Sequence, residues 1–349
     1  MPCPPEVRRS GSWRKKKASG GPRRQQKPQG VEIRQVWAEN VDQEFKLIRA
    51  AMEHFPYVSM DTEFPGVIHL PSKHHGALTA DERYALVKAN VDALHLIQVG
   101  LTFAASPSSP PALAFEINLS DFDPRVHRHA PESVALLAAN GVDLAAHRAR
   151  GVPASALSAL MMSSGLVCSN HNHVITWVTF HSAYDFAYLL KLLMGRKLPS
   201  SMADFLRYVR VFFGDNVYDV KHMMRFCGDL YGGLDRVAAT LGVQRAAGRS
   251  HQAGSDSVLT WDTFRKMKQL YFPKTTVTPF AGVLFGLELP PPAHQQNTII
   301  KHMPAAIAAA AAAAVDNNNN NKKKLVVRIA RPPHAIAAAP RIAALPMYS

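Results

Sequence analysis

Cysteine is scarce. Cys3, Cys168 and Cys227 are the three in 349 residues. So odd and widely spaced a set excludes a disulfide framework and a cysteine-based zinc cluster, and it fits a reducing compartment, cytoplasm, nucleus or both. Long apolar runs are missing as well. None approaches the roughly 18 residues a membrane span needs, so no transmembrane helix and no membrane partner are expected. No apolar stretch follows the first charged residues, so they are not expected to form a secretory leader. Charged residues make up only 19% of the chain against 47% hydrophobic, which excludes wholesale disorder.

Acidic residues are nearly absent from both ends. Residues 1–30 carry nine Lys and Arg against Glu6 alone, and residues 290–349 carry seven against Asp316 alone. The stretch between holds 24 basic and 24 acidic residues. The net charge of +14 therefore belongs to the ends, which weakens the reading of a basic nucleic-acid-binding domain. Residues 1–30, rich in Pro, Gly, Gln, Lys and Arg, read as a disordered basic arm. Its Arg14-Lys15-Lys16-Lys17 suits a nuclear-localisation or nucleic-acid patch, or simply a solvated tail. From Pro290 onward come three prolines, an alanine run (305–314), five asparagines (317–321) and three lysines (322–324). This 290–349 segment reads as a low-complexity, mostly disordered tail. The folded domain is expected over 31–289, with no internal repeat.

Within the body, short apolar β-branched or aromatic segments predict strands at Tyr57–Phe64, His95–Phe103, Ala112–Asn118 and Ile175–Phe180. The Ser/Pro stretch Ala104–Pro111 suits an antiparallel connection between the second and third. Helices are punctuated. Asn40 can cap one running to Met52. Thr79-Ala80-Asp81-Glu82 is a capping-box pattern for one reaching Val91. Pro131 opens another that Asn140-Gly141 closes. Ala154–Ser164 and Ala183–Met194 end at Gly165 and Gly195. Further helices are expected at Met202–Phe213, His222–Leu230, Leu234–Leu241 and Ser257–Tyr271. Strands separated by helices imply an α/β architecture, with a mixed central sheet because of the antiparallel pair.

Three places carry chemistry. In Val58-Ser59-Met60-Asp61-Thr62-Glu63-Phe64, two acids stand two apart inside an apolar strand. They share one face, roughly 7 Å apart at the backbone. Two carboxylates that close repel unless a cation lies between them, and hard divalent ions such as Mg²⁺ take such oxygen donors. A strand end where both acids reach water is the alternative. Asp185, in the first turn after the Trp177–Phe180 strand, is explained equally by a Ser182 capping pattern or by the ligand position beyond a strand's carboxyl end. His251 and Asp256 are five apart at the start of an amphipathic segment. If both were helical they would point about 140° apart, so Asp256 facing a metal while His251 reaches a water suits the spacing better than shared ligation.

Together the three places resemble the DEDDh exonuclease pattern: Asp-x-Glu on a first strand, a central Asp, and His251-Gln252-Ala253-Gly254-Ser255-Asp256. The stretches Phe55–Val67, Lys88–Leu94, Leu96–Phe103 and Trp177–Leu193 are more specific still. They resemble the CCR-associated factor one (Pop-two-like) deadenylases, the nuclease subunit of the CCR–NOT complex, over about residues 31–288. The match is loose at His147–Val152 and Cys168–His173. The resemblance implies a ribonuclease H-like exonuclease fold and 3′-to-5′ removal of poly(A) from single-stranded messenger RNA. It further implies two divalent ions, Mg²⁺ or Mn²⁺, held by Asp61, Glu63, Asp185 and Asp256, with His251 as general base or water-orienting group. The implied partners are the NOT scaffold subunit and a second deadenylase. A DEDDh exonuclease acting on other RNA or DNA, or a non-catalytic scaffold, are the competing readings.

Other residues admit two readings. Phe64, His181 and Phe186 flank the acids and could stack on bases or fill the core. Asp219 and Lys221 could wall the site, or form a helix cap and a salt bridge. His74-His75 and His171-Asn172-His173 lack acids or cysteines at ligand spacing and read as surface histidines. Because neither end can add much to a core, deleting 1–30 and 290–349 is expected to leave a soluble, active protein. Expression and nuclease assay of residues 31–289 check this, and loss of soluble protein would place the boundary elsewhere.

Overall fold

The structure, a computed structural model, describes residues 30–168, 174–273 and 276–289. The expected basic arm up to residue 29, the low-complexity tail and the His171-Asn172-His173 cluster lie outside the described residues.

The chain runs β1 (Ile33–Val36), α1 (Val41–Met52), β2 (Tyr57–Glu63), α2 (Ala80–Ala93), β3 (Gln98–Ala104), β4 (Leu113–Asn118), α3 (Pro131–Ala139), α4 (Leu144–Arg150), α5 (Ala154–Ser164), β5 (Thr176–Thr179), α6 (Ala183–Met194), α7 (Met202–Phe213), β6 (Val217–Asp219), α8 (Val220–Met223), α9 (Leu234–Thr240) and α10 (Ala253–Tyr271). The six strands form one sheet in the order β1-β4-β3-β2-β5-β6. β3 runs antiparallel to both of its neighbours, β2 and β4, whereas β1 joins β4, β5 joins β2 and β6 joins β5 in parallel. This is the mixed α/β sheet expected from the sequence. No helix among the described residues is long and apolar enough to cross a membrane.

The two faces of the sheet differ in chemistry. Period-two alternation puts Val58, Met60, Val99, Leu101, Phe103, Phe115 and Ile117 on one side, all buried in the large core with α1, α2, α5, α6 and α7. The other side presents Ser59, Asp61 and Glu63 of β2 opposite Thr102, Gly100 and Gln98 of β3. Such small and polar side chains let a helix lie close, and α10 does. A Cβ on Gly100 would fall 1.8 Å from the carbonyl oxygen of Ala253, and one on Gly254 would fall 2.7 Å from Ile33. Ser59 Oγ donates to the Ser257 carbonyl at 2.8 Å, and the Thr102 and Ser257 hydroxyls meet at 2.8 Å. Gly254 N donates to the buried Glu116 carboxylate at 2.9 Å. Trp261 Nε1 donates to the Ser109 carbonyl and ties the β3–β4 loop to the same helix. Beyond these contacts α10 packs with α8 and α9 in a second core that includes Val178 and Tyr218 of the sheet.

The capping box forms as expected: Thr79 Oγ1 accepts from Glu82 N at 3.2 Å, and Glu82 accepts from Thr79 N at 2.8 Å. Asn40 differs. It precedes α1 but caps no helix N–H, accepting instead from Trp37 N and donating to the Gln35 carbonyl. Three elements escaped the sequence pattern: β1, α4 and the three-residue β6. The helix expected over 222–230 is a four-residue α8 followed by a 3₁₀ turn at Met224–Phe226, because Asp219 caps it early by accepting from Lys221 N. α10 starts at Ala253, four residues before the expected Ser257.

Gly100→Ala is expected to destabilise the fold by about 1–3 kcal/mol, since the new methyl meets backbone that only a displaced α10 can relieve. Urea denaturation checks this. An unchanged midpoint would mean that the close approach carries no stability.

Candidate active site

A cavity of about 280 Å³ opens beyond the carboxyl ends of β2 and β5, and Asp61, Glu63, Asp185, His251 and Asp256 all line it. They arrive from three stretches of chain. Asp61 and Glu63 leave β2 on its polar face, under α10. Asp256 lies in the first turn of α10 and Asp185 in the first turn of α6, on opposite sides of the sheet. Thr62, between the two strand acids, faces the α6 side, where its hydroxyl donates to Asp185 Oδ1 at 2.5 Å. Ser182 makes no cap bond to α6. Its hydroxyl turns to Asp219 at 3.3 Å, so Asp185 is held by Thr62 and not by a capping box.

His251 stands outside α10, in a left-handed backbone conformation (φ 61°) before the N-cap Gln252. The turn aims its backbone N–H at Asp256 Oδ2, 2.9 Å away. Because His251 is not helical, the 140° separation does not apply. Ligand atoms of Glu63, His251 and Asp256 lie within 4.8 Å of one another. Asp61 and Asp185 line the same cavity outside that tighter group.

The electrostatics are unusual for a folded interior. Asp185 and Asp256 are only 6% and 7% exposed. Burial pushes the Asp185 carboxyl up to about 7, against the Thr62 hydrogen bond that lowers it. Burial, followed by repulsion from Asp256 and Asp185, raises Asp61 and Glu63 well above the ordinary carboxylate range. Asp256 is raised by burial while Arg245 pulls it down. No donor among the described residues reaches the carboxylates of Asp61 or Glu63. The guanidinium of Arg245 is the cation at this cluster, donating to Asp256 Oδ1 at 2.5 Å, Ser255 Oγ at 2.7 Å and Asp235 Oδ1 at 2.7 Å. Four carboxylates converging with two lacking any donor form a hard oxygen set that fits divalent cations and little else.

Thr62, Arg245 and Asp235 were not singled out in the sequence. Strand alternation could have flagged Thr62, since it had to face the side from which Asp185 comes. Arg245 and Asp235 sit in a loop and a short helix with no pattern that marks them. Of the residues with two readings, Phe64 lines the cavity and stacks on Tyr184 and Tyr188 at 5.3 and 4.9 Å. Phe186 is fully buried against Phe213 and is core. Asp219 is fully buried and accepts from the backbone N–H groups of His181, Ser182, Lys221 and Phe285. Lys221 donates to the Gly232 carbonyl. Both brace the loops around the cavity and do not line it. His74 is exposed and accepts from Gly76 N within its own turn.

A family model described as CAF1 family ribonuclease matches residues 36–156. The chain is 44% identical over 267 residues to "Probable CCR4-associated factor 1 homolog 10" of Arabidopsis thaliana, covering 75% of this chain and 94% of that protein. It is 37% identical to "Poly(A) ribonuclease pop2" of Schizosaccharomyces pombe, over 73% of this chain and 75% of that one. Among solved structures, S. pombe Pop2p in its Mg²⁺- and Mn²⁺-bound form superposes with a TM-score of 0.67 at 36% identity, covering 73% of this chain and 99% of that chain. A yeast NOT1 MIF4G domain co-crystallised with CAF1 gives 0.60 at 28% identity, covering 74% and 99%.

The raised carboxyl groups make a signed prediction. Without metal, the folded protein holds protons that the unfolded chain releases near pH 4, so these acids cost stability as pH rises towards about 7. Divalent cations need the deprotonated form. The rise in melting temperature on adding Mg²⁺ or Mn²⁺, relative to EDTA, is expected to be larger at about pH 8 than at about pH 5.5. Thermal scans over that range check it, and a gain independent of pH would separate metal binding from these four acids.

Proposed function

The chain belongs to the CAF1 ribonuclease family, and we propose that it shortens poly(A) from the 3′ end of single-stranded messenger RNA, releasing 5′-AMP one nucleotide at a time. The observation that carries this is the convergence of Asp61, Glu63, Asp185, Asp256 and His251 in one cavity from three separated stretches of chain. The name of the S. pombe relative supports poly(A) as substrate, and its structure with bound Mg²⁺ and Mn²⁺ supports a metal-dependent reaction.

Asp61, Glu63, Asp185 and Asp256 would hold two divalent ions, Mg²⁺ or Mn²⁺. When bound, such ions supply charge neutralisation for the scissile phosphate and acidify a water molecule. The chain's own groups do the rest. His251, on its left-handed turn, directs an imidazole towards Glu63 and Asp256, where a ring nitrogen orients the attacking water or accepts its proton. Thr62 fixes the rotamer of Asp185 by donating to its Oδ1. Arg245 and the His251 backbone N–H each hold one oxygen of Asp256, so its carboxylate plane is set before substrate arrives. Phe64, stacked on two tyrosines, offers a fixed ring edge at the cavity wall for the terminal base.

The co-crystal of a CAF1 protein with the NOT1 MIF4G domain supports assembly of this chain into a CCR4–NOT-type complex on a NOT scaffold. Association with a second deadenylase, and residence in both cytoplasm and nucleus, belong to the same proposal.

A 5′-labelled RNA with a mixed-sequence body and a 3′ A tail tests the reading. Stepwise, metal-dependent shortening that halts at the body is expected, reduced more than about a hundredfold by Asp61→Ala. Metal-dependent digestion through the body would retain a nuclease and remove the poly(A) preference. Full activity in Asp61→Ala would remove this site from the chemistry.

A further inference from the structure

A second, larger cavity of about 490 Å³ adjoins the acidic one. The two share Val67, Leu70, His181 and Tyr184 as walls, so they lie side by side. The larger part lies between the loop after β2, helix α2 and the segment around Phe285. Its volume suits a small planar ligand. The remaining question is what the cavity takes.

Its chemistry differs from that of the first. Among the described residues none that lines it is an acid, and the wall carries Arg83 with His69, His74 and His181. The rest is largely apolar, including Leu86 of α2 and the rings of Tyr184 and Phe285. A wall of aromatic and aliphatic faces is suited to bases lying on it, and the basic and neutral nitrogen groups around it do not repel their phosphates. The acidic cavity, by contrast, repels every phosphate except one neutralised by metal.

The cavity is also built and not an accident of packing. Asn90, fully buried on α2, accepts from the backbone N–H groups of Ile68 and His69 at 2.7 and 2.8 Å and donates to the His69 carbonyl at 2.9 Å. The same amide reaches the Tyr184 hydroxyl at 3.3 Å. One side chain thus locks the loop of the second cavity to a wall shared with the first. On the other side, Asp219 fixes His181 and Phe285 by accepting from both backbone N–H groups, and the two rings meet edge to face at 5.2 Å. His181 itself takes a left-handed backbone (φ 62°), a strain of about 1–3 kcal/mol held in place by that carboxylate.

We propose that this second cavity is a base-binding subsite for the nucleotides immediately 5′ of the scissile bond in a single-stranded RNA. The proposal rests on the nuclease reading of the acidic cavity. A strand whose 3′ end lies among the acids and that runs across the shared residues meets a wall with no carboxylate among its described lining.

The test compares an A₆ RNA with the same RNA made abasic at the second and third positions from its 3′ end. Release of the terminal nucleotide is measured for the full-length protein, Leu86→Trp and Leu78→Phe. Both substitutions fill the cavity with a larger side chain and add no charge, and neither residue lines the acidic cavity. For the wild type, loss of the two bases is expected to raise KM about tenfold with little change in kcat. In each variant the intact RNA should rise to the KM of the abasic one, while the abasic RNA is handled as by the wild type. That unchanged rate also shows that the variants fold. Wild-type indifference to the missing bases, or variants that keep the full discrimination, would overturn the subsite. A parallel anisotropy titration of both labelled RNAs on Asp61→Ala backgrounds separates the two readings. Base-dependent binding lost in the cavity variants, with no cleavage by the wild type, would keep the subsite and discard the nuclease assignment.

Discussion

The close contact of α10 with β3 is the constraint on which the rest depends. A helix normally stands off a sheet by the length of the side chains between them, but here backbone approaches backbone at Gly100 and Gly254. That proximity lets Asp256, in the helix's first turn, reach the cavity lined by Asp61 and Glu63 on the strand beside it. It also explains why the part of this sheet face under the start of α10 is polar. Ser59, Thr102 and Glu116 are buried there because each has a partner on α10: the Ser257 carbonyl, the Ser257 hydroxyl and the Gly254 N–H. Buried polar groups are tolerated when their hydrogen bonds are met, and this set is met by one helix.

The buried acids separate into two kinds by their donors. Asp219 is as deeply buried as any, yet four backbone N–H groups and a hydroxyl point at it. That is a carboxylate used as a structural knot, drawing three loops together. Asp61 and Glu63 have no such donors among the described residues, and their repulsion with Asp185 and Asp256 adds to the burial that raises them. A fold that kept them for stability would have supplied N–H groups, as it did for Asp219. The unmet pair is a cost that a bound cation removes, and in this sense the donors withheld from the site define it.

This distinction bears on what was legible in the sequence. The Asp61/Glu63 pair was visible because two acids on one face of an apolar strand conflict with their surroundings, and conflict is a local signal. Thr79 and Glu82 were visible for the opposite reason, since a capping box is complete within four residues. Asp219 could be read as cap or site wall, and only the positions of His181 and Phe285, far off in sequence, decide between them. β1 was missed because its four residues take their sheet position from β4, some eighty residues on, and carry little pattern of their own. The start of α10 was misplaced by four residues because Ala253-Gly254-Ser255 reads as loop. Its glycine is there for close approach to Ile33 and Glu116 and not for a turn. Phe186, next to a site acid in sequence, is core because one step along the helix turns it about 100° away from Asp185 and onto Phe213.

The arrangement also accounts for the mixed sheet. Asp185 must come from the apolar side and Asp256 from the polar side, and both must arrive at the end of β2. A parallel neighbour, β5, brings its carboxyl end alongside that of β2 and hands the chain directly into α6. An antiparallel neighbour, β3, offers at the same level its beginning, with Gln98 and Gly100, small and neutral enough for α10 to cross. With two parallel neighbours the crossing helix would meet a second strand end and its loop. With two antiparallel ones, α6 could not begin beside the acids. One parallel and one antiparallel partner for β2 bring two helix first turns, from opposite faces, to one strand end. Each first turn contributes an acid where the helix dipole favours negative charge, which offsets part of the repulsion the four carboxylates impose on one another.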